Sequence, residues 1–373
     1  MTAILRVMLD QLVAPTEAAL AEASDQLARA LIAGAPTACE VEGIVPAGGP
    51  ADLAIAGLAG VRRTALPRRE LATALQLGIG TGIGGGMIHS PTLFAPLVRH
   101  DRVHDNDQTV VTIWDLRPWE SPDELPRSVV AWHKAMLKRA AKHADAVVVP
   151  AHAIAERLAE QAKLSGRIRV IAGAAPTGFA VPTDEIGRRR DLGLPEGFLM
   201  LAGGPMPADR LSTGFGAIAA GGADVPVVVI DVEEGHEPAV AELAASAGIP
   251  ERRVHVRGAL DAPDRAAVYG AALAFLAPAV RTAFPWRIVE ALTLGVPTIA
   301  VDTPVNAELV VDGGVLVAGR DEASVVDGMA AALAEGLASA AAAERLAVLA
   351  ADRGRTFSWS EAADRVWQLH ADL

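Results

Sequence analysis

The chain of 373 residues exceeds the ~100–200 residues of an ordinary domain, and 51% hydrophobic against 21% charged residues supply enough apolar surface to offset the entropy of ordering it. Two folded domains are expected, and extensive disorder is excluded. The 33 basic and 45 acidic residues leave a formal charge of −12, which repels polyanions and argues against nucleic acid as a main partner. The single cysteine, Cys39, allows neither an internal disulfide nor a cysteine-rich metal site and fits a reducing compartment.

The opening MTAILRVMLDQL reads as an apolar strand interrupted by Arg6 and Asp10. It lacks the basic start, long apolar run and cleavage site of a secretory signal, so a cytoplasmic protein is expected. A helix follows over TEAALAEASDQLARALIAG, with apolar residues recurring at three and four. No charged residue occurs between Glu70 and Arg99, but six glycines at 78–86, with Pro91 and Pro96, point to a loop and a buried strand rather than a membrane span. Then come the strand TVVTIWDL, the helix SVVAWHKAMLKRAAKHA, the strand DAVVVP and the helix AHAIAERLAEQAKL. The turn-rich 172–197 lacks periodicity and reads as an interdomain linker.

After it the alternation restarts with FLMLAGG, a helix from about Ser212, PVVVIDV, the helix EPAVAELAASAG, RVHVRG, the helix APDRAAVYGAA, LAFLAPA and a helix through Glu290. PTIAVD and GVLVA are short strands, and SEAADRVWQLHADL is a closing helix. This is α/β architecture: two Rossmann-like doubly wound domains with a cleft expected at the carboxyl ends of both sheets, where such sheets bind ligands.

Three features of the first half invite chemistry. Gly80, Gly82 and Gly85 satisfy G-x-G-x-x-G, but a helix precedes and a strand-like MIHSP follows, the reverse of a dinucleotide fingerprint, so close backbone packing near the cleft is the preferred reading. The run HDRVHDND offers His100, His104, Asp105 and Asp107 as ligands for a divalent ion, and its D-x-D spacing resembles the metal site of a single-domain class of sugar-transferring enzymes. A solvated turn before a strand explains the same residues, and no metal is assigned. The helix over 127–143 carries Arg127, His133, Lys134, Lys138, Arg139, Lys142 and His143 with no acid. Such a face suits anionic headgroups at the inner face of a membrane, with Trp132 at the interface, although a solvated helix face is the simpler reading.

The segment 274–317 is the most informative. A strand ends at Ala277-Pro278, Pro285 suits a first helical turn, Gly295 stops the helix, and PTIAVD follows. The helix N-terminus between the strands is a ready site for a diphosphate. Glu290, about one and a half turns in, is placed to accept hydrogen bonds from the paired hydroxyls of a ribose; the alternative is a surface glutamate.

At these residues the chain resembles the family 4 (group 1) retaining glycosyltransferases of the GT-B fold, whose signature E-G-F-G-L-P-x-x-E-A-x-x-x-G-x-P-V-I-A aligns with TAFPWRIVEALTLGVPTIA over 282–300. TVVTIWDLRPWESPDELP, HADAVVVPAHAIAERL and FSWSEAADRVWQLH are similar to further segments of that family, so the likeness covers nearly the whole chain. It implies an acceptor-side domain over 1–180, a donor domain over 181–355, and a helix over 356–373 crossing back to the first domain. It implies metal-independent transfer of a hexose from a nucleotide diphosphate-sugar, with no other cofactor, to a carbohydrate or lipid-linked acceptor.

The resemblance also assigns roles. Asp115, Thr282 and Arg210 stand at catalytic positions. Gly203, Gly204, Ser212, Arg281, Ala283, Phe284, Pro285, Arg287 and Glu290 stand at donor-binding ones. The chain departs from the pattern where the first glutamate of the paired-acid motif is Thr282, where the usual histidine is Trp114, and where a glycine pair after the first strand is missing from APTEAALAEA. It departs again where PMPADRLSTG offers only Arg210 in place of an arginine and a lysine; Arg281 and Arg287 flank the altered motif as substitutes, a helix-surface cation being the equal alternative for Arg287. These changes motivate an alternative: a degenerate GT-B pseudoenzyme serving as a nucleotide-binding or partner-binding subunit.

Overall fold

The computed structural model describes residues 2–49 and 53–373. The chain divides into two compact units: Met1–Pro176 with Thr282–Phe284 and Ser358–Leu373, and Thr177–Arg281 with Pro285–Phe357. The fold is α/β throughout, with one parallel sheet per unit.

The first unit contains β1 (Ala3–Met8), β2 (Cys39–Ala47), β3 (Gly60–Pro67), β4 (Met87–Ser90), β5 (Gln108–Thr112), β6 (Ala146–Val149) and β7 (Ile168–Val170) in the order β3-β2-β1-β4-β5-β6-β7. The strand order reverses between β1 and β4, the topological switch point of a doubly wound sheet. Because β5 and β6 are covered on both faces, every residue of each is buried, and past Gln108 they read as continuous apolar or hydroxyl runs instead of alternating ones. The closing helix, Trp359–Asp372, belongs to this unit. The Trp367 indole donates to the Leu31 carbonyl at 3.1 Å, and His370 Nδ1 meets Gln108 Oε1 at 2.9 Å.

The second unit contains β8 (Phe198–Ala202), β9 (Val227–Ile230), β10 (Val254–Val256), β11 (Ala272–Ala277), β12 (Thr298–Val301) and β13 (Val315–Val317) in the order β10-β9-β8-β11-β12-β13. Strand alternation divides its core in two. Leu199, Leu201, Val227, Val229 and Leu276 pack on one side of the sheet. Phe198, Met200, Val228, Ile230 and Phe275 pack on the other. The switch point falls between β8 and β11, so the loops that follow these strands, 203–210 and 278–285, meet there: the Val280 amide donates to the Ala208 carbonyl at 3.0 Å.

Three parts of the sequence reading change. The stretch expected to be a bare linker contains the helix Glu185–Asp191, held by Arg188 pairing with Asp184 and Asp264 at 3.0 and 2.8 Å instead of by an apolar stripe. Trp132 is not a free membrane anchor, since its indole donates to the Ala72 carbonyl and its ring stacks on Phe94. The glycine run lies at the amino end of β4, away from the carboxyl ends where a ligand is expected. There a Cβ on Gly85 would sit 2.0 Å from Asp107 Oδ1, which explains the glycine by close packing. No helix among the described residues is long and apolar enough to cross a membrane.

The buried imidazoles under the closing helix make this unit acid-sensitive. Burial holds the His370 pKa at about 4, and burial together with the neighbouring His370 holds His89 well below its ordinary value. A depressed histidine binds fewer protons folded than unfolded, so stability is full above about pH 6.5 and falls as pH drops toward 4. For His370 the shift corresponds to about 3 kcal/mol. Chemical denaturation from pH 7 to 5 is expected to show a shallower loss in His370→Gln than in the parent; equal slopes would contradict this.

Candidate active site

In the second unit the loop after β8 carries Gly203, Gly204 and Arg210, and the loop after β11 carries Arg281. Gly203 has φ +117°, and a Cβ on it would lie 3.0 Å from Asp209 Cγ, so only glycine fits. The buried Asp209 accepts the Gly204 amide at 2.9 Å and pairs with Arg281 Nη2 at 2.8 Å. An internal carboxylate therefore holds two groups that would suit an incoming phosphate. Arg281 is not a free substitute cation. Arg210 sits in a left-handed conformation (φ 50°) before the helix Leu211–Ala220 and pairs with no carboxylate among the described residues. The Ser212 and Thr213 hydroxyls both donate to Glu322 Oε1, at 3.1 and 2.8 Å.

Pro285 precedes the helix Trp286–Thr293, whose buried residues Ile288, Val289, Ala291 and Leu292 pack it into the unit. Glu290 shares that buried face, at 2% exposure, so it is not the surface glutamate of the simpler reading. Its Oε1 accepts from Arg265 Nε and Nη2 at 3.0 and 2.8 Å and from Arg287 Nη1 at 2.9 Å; its Oε2 accepts from Arg287 Nη1 at 2.9 Å and more distantly from Arg265 Nε at 3.3 Å. Arg287 in turn holds Asp231, in the left-handed conformation just past β9, with Nε–Oδ2 at 2.5 Å and Nη2–Oδ1 at 3.1 Å. Arg287 is thus a bridging cation within this cluster. Burial alone would lower its pKa, but Glu290 and Asp231 raise it well above the ordinary value. Burial, and then the charge of Glu290, push the Tyr269 phenol upward, keeping it a neutral donor to the Arg287 carbonyl.

In the first unit, Thr282–Phe284 form an antiparallel bridge beside Asp115. The Leu116 amide donates to the Thr282 carbonyl, and the Phe284 amide to the Trp114 carbonyl, both at 2.9 Å. Asp115, Thr282, Ala283 and Phe284 are thereby gathered at the carboxyl end of β5. Trp114, at the position of the family's histidine, tilts against Phe284 at 5.7 Å between centroids and donates to the Pro91 carbonyl. Asp115 is gripped by the Arg117 guanidinium at 2.8 and 3.1 Å, and Arg117 also meets Glu17 at 2.6 Å. Just past β1, Asp10 is buried against Arg68 at 2.9 Å, and burial raises its carboxyl pKa.

The His and Asp tract does not converge. His100 meets Asp145, His104 meets Asp101, and Asp107 accepts the Gly86 amide. Among the described residues no group of three or more His, Cys, Asp or Glu is arranged to hold a metal.

The sequence reading missed Asp10, Arg117, Asp209, Asp231 and Arg265. Asp209 and Arg117 stand next to residues it singled out, so adjacency was a usable signal. Arg265 lies on a different helix from Glu290, and nothing local links them.

Residues 209–347 match the family model described as glycosyl transferases group 1. Solved structures agree in fold along the whole chain. A sucrose-phosphate synthase from Thermosynechococcus elongatus matches with TM-score 0.70 at 19% identity, covering 99% of this chain and 98% of that one. The Anabaena protein HepE, solved with UDP and glucose, matches with TM-score 0.72 at 15% identity over 100% of both chains. WaaG, a glycosyltransferase involved in lipopolysaccharide biosynthesis, matches with TM-score 0.65 at 13% identity, covering 97% and 98%. The fold is GT-B, and the segment that matches the group 1 model is 209–347. At these identities the likenesses speak for the fold alone. No curated protein matches the chain in sequence.

The ion-pair chain changes what a substitution at Glu290 reports. Glu290→Ala leaves two guanidiniums, one of them almost fully buried, without their shared carboxylate, an expected cost of about 3–5 kcal/mol. Chemical denaturation measures it, and a loss below about 1 kcal/mol would show that the cluster relaxes into water.

Proposed function

We propose that this GT-B protein transfers a hexose from a nucleoside diphosphate-sugar to a carbohydrate or lipid-linked acceptor, with retention of configuration and without a metal or other cofactor. The observation that carries the reading is the group 1 match over 209–347, which contains both the loop at Arg210 and the helix with Arg287 and Glu290. In this reading the second unit holds the donor: the diphosphate meets Arg210 and the amino ends of the helices Leu211–Ala220 and Trp286–Thr293, with Gly203, Gly204 and Pro285 allowing close approach. The ribose hydroxyls donate to the carboxylate cluster of Glu290 and Asp231, of which Asp231 is the more exposed.

On the first unit, Asp115, Thr282, Ala283 and Phe284 keep in this scheme the roles the resemblance assigns, Thr282 as a neutral partner for hydroxyls. The acceptor oxygen attacks the anomeric carbon on the face from which the diphosphate leaves. The carbon–oxygen bond to phosphate breaks, and the departing phosphate oxygen takes the acceptor proton. No side-chain nucleophile is required, consistent with Trp114 at the histidine position. The charge developing on the diphosphate has to be met by fixed positive groups. Arg210 is the cation at this switch point that no carboxylate among the described residues neutralises.

One observation favours the second reading, a pseudoenzyme that binds a nucleotide or a partner without turnover: the Asp209 carboxylate already holds the Gly204 amide and Arg281. A thermal-shift screen of uridine, guanosine, adenosine and thymidine diphosphates and their sugar conjugates separates the two, with uridine first because HepE was solved with UDP. Stabilisation by one base, weakened roughly tenfold or more in affinity by Arg210→Gln, and turnover unchanged by a chelator are expected. No shift with any donor would contradict the transferase reading.

A further inference from the structure

A cavity of the first unit lies at the amino ends of β6 and β7, the opposite end of the sheet from Asp10 and Asp115, and none of the chemistry above uses it. Its volume is about 650 Å³, within the range of small-molecule sites. Arg99, Arg102, Lys142, Arg167 and Arg169 line it. In a chain of net charge −12 this is a concentration of like charge that costs stability unless something compensates it.

Among the described residues that compensation is slight. Among them Arg99, Arg102, Lys142 and Arg169 form no salt bridge and all four are exposed, although Arg99 lies close enough for its charge to act on Asp101. Arg167 is fixed instead by neutral carbonyls: its Nε, Nη1 and Nη2 donate to Leu164, Ala144 and Ala141, leaving its charge unmatched and its position set. Two carboxylates share the lining, Asp145 and Asp372. Asp145 is engaged by His100 at 2.8 Å and by the Thr109 amide at 2.8 Å. The aspartates Asp101, Asp105 and Asp107 line the adjoining depression, where Asp101 caps the amides of Val103 and His104 and Asp107 holds Gly86. Burial, followed by the charges of Arg139 and Lys142, keeps His143 below the ordinary histidine value, as a locally positive surface requires.

We propose that this cavity is a binding site for a multiply charged, phosphate-bearing anion, separate from the donor site of the second unit. Several planar guanidinium forks around a concave surface match phosphate oxygens bidentately, which lysines scattered on a convex face do not. Lys134 and Lys138 continue the charge outward at intervals of four along the helix Arg127–His143 but lie outside the cavity. The phosphate is carried either by a soluble ligand or by a lipid headgroup, and both present the same chemistry to these side chains.

Calorimetric titration of inorganic tripolyphosphate into the full chain at low ionic strength tests the site. One equivalent per chain is expected, weakened at least about tenfold by Arg102→Gln with Arg169→Gln and by about 0.5 M salt, and unchanged by Lys134→Gln with Lys138→Gln. A second arm sediments the same proteins with phosphatidylglycerol vesicles. Binding in either arm that the arginine pair abolishes supports the site and names its source. Binding in neither arm, binding retained by the arginine variant, or an equal loss in the lysine variant would overturn it. The arginine variant's melting temperature verifies that it remains folded.

Discussion

The interaction on which the second unit depends is the alternating chain Arg265–Glu290–Arg287–Asp231. A carboxylate at 2% exposure is untenable alone, because the interior cannot replace its hydration; two guanidiniums supply that solvation here. Three elements are tied by it: the helix Ala262–Ala271, the helix Trp286–Thr293 and the turn after β9. The chain runs from dry to wet. Side-chain exposure rises from 5% and 3% at Arg265 and Glu290 to 16% and 25% at Arg287 and Asp231. A structural pair thus grades into a solvent-reaching carboxylate at the carboxyl end of the sheet, the end at which doubly wound sheets take ligands.

Charge balance is the second theme of this unit. At the switch point Asp209 neutralises Arg281, and in the cluster Asp231 and Glu290 neutralise Arg287, while Arg210 meets no carboxylate among the described residues. In the proposed transfer a leaving diphosphate needs positive charge as the bond breaks, so this arrangement would ask helix amino ends and one arginine to supply it. The first unit shows the same economy of free charge, with Asp115 held between Arg117 and the bridge to Ala283. The basic cavity at the amino ends of β6 and β7 is the exception, and its unmatched arginines stand out against that background.

Much of the fold was legible because buried parallel strands leave continuous apolar runs, such as FLMLA and VVVI, and because helix and strand alternate. Elements whose stability comes from elsewhere were not. The helix Glu185–Asp191 is fastened by ion pairs, β3 is rich in arginine, and the helices Glu322–Gly336 and Ala340–Gly354 are so alanine-rich that their two faces barely differ. At the site, the segment 282–300 identified the helix and Glu290, since a motif is a local pattern. Whether a charge is free is not local. Arg281 and Arg287 looked like available cations in the sequence, and their neutralisation by Asp209 and Asp231 depends on loops brought together by the strand order β9-β8-β11.

The most direct measurement is backbone hydrogen exchange with and without a saturating mixture of the four nucleoside diphosphates. Slowed exchange at residues 210–213 and 286–288 is expected, because those amides at the helix amino ends would donate to the phosphates. Exchange unchanged there, or protection confined to the first unit, would contradict a donor site at the β8/β11 switch point.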